Sequence, residues 1–204
     1  MAEVRIPIAR SPLQGLVGPI GGPYEAGVAL AELRFQGKLN LRGNPEDAAF
    51  GSAVARAVGA GPPAPGKVAT AGGRAMLWLG PDEWLVITPP GDEAAVKAAL
   101  DAALAALRAS ATDVSDNYTA VRVSGRSARW VLAKGWPVDL HPSAFGPGRV
   151  AQSNLALCNV ILRQTDDHGG QPAFELLVRP SFARYLWDWL VDASLEVGCR
   201  VEAG

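Results

Sequence analysis

The chain has 204 residues, 49% of them hydrophobic and 19% charged. A chain of this size removes roughly 70% of its unfolded surface from water on folding, so it can build a core without a metal or disulfide staple. Nineteen basic residues against twenty acidic ones leave a net charge of −1. That lacks the basic excess on which phosphate contacts rest and speaks against a nucleic-acid partner. No apolar run reaches the ~18 residues of a membrane span, and the first residues lack the charged start, apolar stretch and cleavage site of a secretory leader. The expectation is a cytoplasmic protein with no membrane partner.

Residues 1–27 read as an extended arm. Pro7, Pro12, Pro19 and Pro23 interrupt every helix, and Gly18, Gly21 and Gly22 loosen the remainder. Leu13, Leu16, Val17 and Ile20 are too apolar to be left in water, so the arm is expected to lie on its own domain or on a partner. From Leu33 the period is two: Leu33, Phe35, Leu39 and Leu41 alternate with Arg34, Gln36, Lys38, Asn40 and Arg42, a half-buried strand bent or turned at Gly37. Asn44 as cap and Pro45 at the first helical position then predict a helix with Phe50, Val54 and Val58 inside, ending at Gly59. A Pro-rich loop covers 61–66. Ala75–Leu79 and Trp84–Thr88 flank Gly80-Pro81-Asp82-Glu83 as a hairpin. Asp92 starts a helix with Val96, Leu100, Leu104 and Leu107 as its apolar stripe.

The order then recurs. Thr119–Ser124 alternates as a strand, Arg126–Lys134 is a short helix, and Trp136–Val150 is irregular. Leu155–Leu162 is nearly all apolar and reads as a central strand covered on both faces. After a turn at 166–170, Phe174–Val178 returns as a strand. Ser181 starts a helix with Phe182, Tyr185, Leu186, Trp189 and Leu190 on one stripe, and 195–202 alternates as a last strand. Two consecutive β-α-β-β-α units, about 28–110 and 111–204, predict one α+β domain with ferredoxin-like halves over residues 28–204.

Chemical motifs are sparse. Gly146-Pro147-Gly148-Arg149-Val150-Ala151 matches G-x-G-x-x-A, but no strand precedes it and no helix follows, so the loop reading is favoured over a dinucleotide site. His141 neighbours Asp139 and Ser143 in a Pro-flanked loop, where a catalytic triad is not expected. His168 with Asp166 and Asp167 reads as a solvated turn. Cys158 and Cys199 read as reduced core thiols, and together with the two histidines they match no zinc spacing. Asp113, Asp116 and Asn117 read as a capping and turn segment in preference to a polar cluster at a ligand pocket. Trp78, Trp84, Trp130 and Trp189 fall on predicted core faces. The residues alone supply no catalytic, cofactor-binding or metal-binding residue.

Several stretches together resemble the gamma subunit of heterotetrameric sarcosine oxidase: Lys38-Leu39-Asn40-Leu41-Arg42-Gly43, Trp78-Leu79-Gly80-Pro81-Asp82-Glu83-Trp84-Leu85, Asp113-Val114-Ser115, Asp139-Leu140-His141-Pro142, and Leu177-Val178-Arg179-Pro180-Ser181-Phe182 leading to Tyr185 and Trp189. The likeness runs from about Leu33 to Asp192. It implies a fold related to the folate-binding aminomethyltransferases and a small non-catalytic subunit with a role in assembly. It also implies alpha, beta and delta partner subunits that hold the FAD, FMN, NAD, tetrahydrofolate and zinc used in the oxidative demethylation of sarcosine. A free-standing folate-binding protein is the rival. The iron–sulfur-maintenance branch of that fold is disfavoured, because Lys134-Gly135 is followed by Trp136-Pro137-Val138 and lacks that branch's cysteine. A gamma-type subunit of a dimethylglycine or N-methylglutamate complex is a further alternative. On the helix starting near Ser181, Trp187 falls off the apolar stripe, which predicts an exposed indole and makes it the interface candidate.

Overall fold

The computed structural model describes residues 8–15, 25–166 and 168–203. In chain order the strands and helices are β1 (Val28–Leu33), β2 (Gly37–Arg42), α1 (Ala48–Val58), β3 (Val68–Ala71), β4 (Arg74–Gly80), β5 (Glu83–Thr88), α2 (Glu93–Leu104), β6 (Ser110–Asp113), β7 (Thr119–Ser124), α3 (Ala128–Ala133), β8 (Val150–Leu155), β9 (Cys158–Gln164), β10 (Ala173–Val178), α4 (Ala183–Ala193) and β11 (Cys199–Glu202). One sheet has the order β3-β4-β5-β2-β6, and the other β11-β1-β7-β10-β9-β8. Neighbours are antiparallel except for the parallel pair β1 and β11.

Side-chain parity stacks these elements in four layers. On β5, Trp84 and Val86 join the core under α1 and α2, whereas Leu85 and Ile87 point the other way. On β7, Val121 and Val123 join the core under α3 and α4, while Ala120 meets Leu85 and Ile87 in a third cluster between the sheets. Both sheets are therefore covered on both faces, which is why their strands read as nearly continuous apolar runs. Leu13 of the arm is fully buried in the α3/α4 core, and Ser11 Oγ donates to the Glu32 carboxylate. Residues 8–15 thus lie on their own domain; the rest of the arm up to Tyr24 is outside the described residues.

The α+β class and most elements agree with the sequence, and the differences have local causes. Leu33–Arg42 is two strands in different sheets, separated by a turn in which Phe35 adopts φ 55°. Because of this turn β1 joins the sheet built by the second half of the chain. Leu155–Leu162 is likewise the tip of a hairpin, with Ala156 at φ 51° between β8 and β9. Helix α1 is capped by Asp47, whose carboxylate accepts from Ala49 N at 2.8 Å, while Asn44 closes the preceding turn by accepting from Glu46 N. The last strand is only β11; Leu195 lies in the turn before it, 70% exposed.

Two tryptophans depart from expectation in opposite directions. Pro180–Phe182 forms a separate 3-10 turn, so α4 starts at Ala183 and its buried stripe is Ala183, Leu186, Trp187, Leu190 and Ala193. Trp187 is 3% exposed and belongs to the α3/α4 core. The expected exposed indole at Trp187 is corrected, and Phe182, expected inside, is exposed. Trp130, expected in the core, is 47% exposed on α3, with Lys134 Nζ 3.9 Å from its ring centroid.

Candidate functional site

The turn that carries the chain from one sheet to the other builds a cleft at their junction. Beyond it, β2 sends Leu39 and Leu41 to the helices and Lys38 toward the opposite sheet, where the side chain is 2% exposed. The segment 113–116 docks on Lys38 through its backbone: Lys38 N donates to Ser115 Oγ at 3.0 Å, and Val114 N donates to Lys38 O at 2.9 Å. Asp113 Oδ1 accepts from both the backbone N and the hydroxyl of Ser115. Gly37 allows the start of α2 to close over this strand. A Cβ at Gly37 would stand 2.3 Å from Thr88 Oγ1 and 2.4 Å from Glu93 Cβ, so any larger residue would push α2 outward.

The electrostatics are those of a buried cation among carboxylates. Lys38 Nζ donates to Gln36 O at 2.7 Å. Burial lowers its pKa from 10.5 to about 8; the charges of Asp116, Asp113, Glu175 and Glu93 oppose that shift without cancelling it. Glu175 itself is held by Arg163, whose Nε and Nη2 donate to Oε2 at 2.8 and 2.5 Å. Arg179 stacks over Tyr118 at 4.6 Å from the ring centroid. A cavity of about 640 Å³ opens between Arg10, Phe35, Lys38, Glu93, Asp116 and Tyr118. Inside the protein, Gln36 Oε1 and Glu93 Oε2 have no hydrogen-bond donor among the described residues.

Of the residues singled out in the sequence, Asp116 lines this cleft and Asp113 acts on Lys38 only through its charge, while Asn117 ends the 3-10 turn and is exposed. His141 does not form a catalytic arrangement. Its Nδ1 lies 2.7 Å from Ser143 Oγ and accepts from Ser143 N at 3.3 Å, but Asp139 accepts from the His141 backbone N and not from the ring, so among the described residues no carboxylate orients the imidazole. His168 Nε2 lies 3.3 Å from Glu202. Gly146–Arg149 runs as a loop into β8. Cys158 is buried, Cys199 is half-buried, and burial raises both thiol pKa values. Among the described residues no cluster of three or more His, Cys, Asp or Glu could hold a metal, and no helix is long and apolar enough to cross a membrane. Lys38 and Glu93 escape sequence reading because a lysine on the polar side of an alternating strand looks solvated until a second sheet covers it.

The four-layer α+β arrangement is the fold of an aminomethyltransferase-like chain. Glycine cleavage system aminomethyltransferase T from Bartonella henselae aligns with a TM-score of 0.63 over 88% of this chain and 48% of its own, at 15% identity, a likeness of fold alone. The chain belongs to the sarcosine oxidase, gamma subunit family, whose profile matches residues 42–196. It is 39% identical to the sarcosine oxidase subunit gamma of Corynebacterium sp. (strain P-1) over 192 residues, which is 93% of this chain and 91% of that one. A chain of the heterotetrameric sarcosine oxidase from Corynebacterium sp. U-96, solved in complex with pyrrole 2-carboxylate, is 34% identical. It aligns with a TM-score of 0.82 over 93% of this chain and 96% of that chain.

Proposed function

We propose that this protein is the small, non-catalytic subunit of a heterotetrameric sarcosine oxidase and serves in its assembly. In this reading alpha, beta and delta partners carry the FAD, FMN, NAD, tetrahydrofolate and zinc, and oxidative demethylation takes place on them. The observation that carries the reading is the end-to-end match, in sequence and in fold, to a chain of a heterotetrameric sarcosine oxidase.

The outer face of α3 and α4 is the surface that supports docking. Trp130 and Leu195 lie by the C-terminal end of α4, where Lys134 Nζ donates to Ala193 O at 2.7 Å, and Leu157, 82% exposed, lies beside Tyr185 nearer the start of the helix. The neighbouring charges are already paired within the chain, Lys134 with Glu196 and Arg184 with Asp188. An apolar face with its charges neutralised fits an apolar partner face. Co-expression of the four subunits tests the proposal. The chain is expected to co-purify in equal stoichiometry, and the isolated chain to be colourless and inert toward sarcosine. Sarcosine turnover by the isolated chain, or an enzyme that assembles from the other three subunits and turns over equally well without it, would refute the assembly role.

A further inference from the structure

The two sheets end in four edge strands, β3, β6, β8 and β11. Three of them have four residues each; β11 also carries Arg200 and Glu202, and β6 ends at Asp113. Short and charged edges resist pairing with another chain. β8 has neither protection. It is six residues long, Val-Ala-Gln-Ser-Asn-Leu, with no charge, no proline and no register shift against β9. Its outward backbone groups follow from the period of two along a strand. Val150 N donates away from β9, to Gly66 O at 3.1 Å, and Ala156 N donates to Gly135 O at 3.0 Å. Gln152 and Asn154 share that parity. Both are exposed, and their backbone N–H and C=O have no hydrogen-bond partner among the described residues. The chain itself begins to extend the sheet here: Val68 N donates to Gly148 O at 2.9 Å, and Lys67 bridges Arg149 in antiparallel fashion. It leaves the sheet at Gly66, where φ is 68°, and Pro65 has no N–H with which to continue the ladder.

We propose that the β8 edge receives an extended strand of a partner subunit, held by backbone hydrogen bonds to Gln152 and Asn154. Open N–H and C=O groups at alternate residues of a strand are answered by another strand, and strand addition is a common mode of polypeptide recognition. The two faces of β8 set the chemistry of the occupant. Ala151 is half-buried and packs, like Tyr185 and Trp189, against the α3/α4 core, whereas Gln152 and Asn154 on the opposite face are exposed and uncharged. The added strand therefore alternates, with apolar side chains on the helix side and uncharged polar ones on the other. β8 leads directly into the hairpin tip at Leu157, so this edge is continuous with the apolar face assigned to docking above. The inference rests on the assembly reading for its occupant, and adds a backbone contact that the exposed side chains of that face do not supply.

The test compares amide hydrogen exchange in the isolated chain and in the co-expressed four-subunit complex. The amides of Gln152 and Asn154 should exchange about tenfold or more slowly in the complex, because each is then hydrogen-bonded. Two variants separate backbone from side chain. Asn154→Pro removes the outward N–H, leaves the bonds between β8 and β9 in place and is tolerated on an edge strand. Asn154→Thr keeps the N–H. Both lose the side-chain contact to Asn159 Nδ2, so their difference reports the N–H. Asn154→Pro should weaken retention of the partners roughly tenfold, with the melting curve of the isolated chain still cooperative, and Asn154→Thr should retain them. If Asn154→Pro does not fold, the exchange measurement on the wild type decides. The proposal alone is overturned if exchange at Gln152 and Asn154 is the same in chain and complex, if a folded Asn154→Pro chain is retained like wild type, or if Asn154→Thr loses the partners as severely as Asn154→Pro. A wild-type chain that enters no complex overturns the assembly reading and this inference together.

Discussion

The two helical layers of this molecule are built from similar material and finished differently. Each buries an apolar stripe against one sheet: Phe50, Val54, Val96 and Leu100 on one side, Val131, Leu132, Leu186 and Leu190 on the other. Outside, α1 and α2 present charge, with Lys97 Nζ 2.6 Å from Asp101 at i,i+4 spacing and Arg56 in the last turn of α1. Among the described residues the exposed large apolar side chains are Ile8, Phe35, Trp130, Val138, Leu157, Phe182 and Leu195, so none falls between 36 and 129. Exposed apolar side chains gathered on one layer mark a contact surface. Ile8 and Phe35 lie at the cleft, but none of these side chains is on α1 or α2, and under the proposed assembly role this separates a layer finished for solvent from one finished for a partner.

The largest expected effect separates the two tryptophans of the aromatic layer. Trp187→Ala empties a site in the core and should destabilise the isolated chain by about 3–5 kcal/mol in urea denaturation. Trp130→Ala should leave that transition within about 0.5 kcal/mol, because Trp130 is half outside the core. If the two variants cost the same, the distinction between core and contact tryptophan fails.

Lys38 probes what joins the layers, since it lies between the sheets. Its folded pKa of about 8 is below the unfolded value of 10.5. Below pH 8 both states hold the proton, and the burial of the charge counts in full against the folded state. Between pH 8 and 10.5 the folded protein has released its proton while the unfolded chain keeps it, so stability rises with pH. Relative to Lys38→Met, the wild type should therefore gain about 2–3 kcal/mol between pH 7 and pH 10. Paired denaturation curves across that range check it. A difference that stays flat would mean that the ammonium is solvated and the two sheets do not seal over it.

Much of this architecture is legible in the sequence, and the failures are instructive. Helical periodicity gave the correct inner faces of α1 and α2, alternation located β7, and apolar runs bounded by turns located β4, β5 and β10. The Ala156 turn is invisible because it uses no turn residue, and the Phe35 turn shows only as the bend or turn read at the neighbouring Gly37. Phe35 and Ala156 occupy left-handed backbone that Gly or Asn would have announced. Alternation runs through the Phe35 turn without a break, so one strand is read where two sheets part company. The phase of α4 slips because Pro180–Phe182 is a 3-10 turn and not the first turn of the helix. That slip of one position moves Trp187 from surface to core. The cleft is the least legible part, since Lys38, Glu93 and the 113–116 segment are distant in sequence and only sheet stacking unites them.

Contact at the aromatic layer can be measured directly. Leu157 stands at the tip of the β8–β9 hairpin, next to α4, where Leu157 N donates to Tyr185 Oη at 3.3 Å. Leu157→Asp puts a charge on the surface without opening the core. It should leave the isolated fold unchanged and weaken retention of the partner subunits by about 2 kcal/mol. Analytical ultracentrifugation of the reconstituted complex reads this out. Retention at wild-type level would move the contact surface away from α3 and α4.

The smallest effect belongs to the polar layer and is the control for that measurement. Helix α1 ends its own backbone requirements locally: Asp47 accepts from Ala49 N, and Gly59 at φ 97° donates its N–H to Ala55 O. Helices α3 and α4 begin without a side-chain cap, at Ser127 and Phe182. Asp47→Ala leaves an amide donor of the first turn of α1 to water and should cost about 1 kcal/mol, a fall of about 2–4 °C in Tm for a domain of this size. It touches neither Trp130 nor Leu157, so a solvent-finished layer predicts full retention of the partners despite the lower Tm. Loss of partners on Asp47→Ala, at a temperature where the chain is still folded, would place α1 in a contact as well. The two helical layers would then not differ in the way their surfaces indicate.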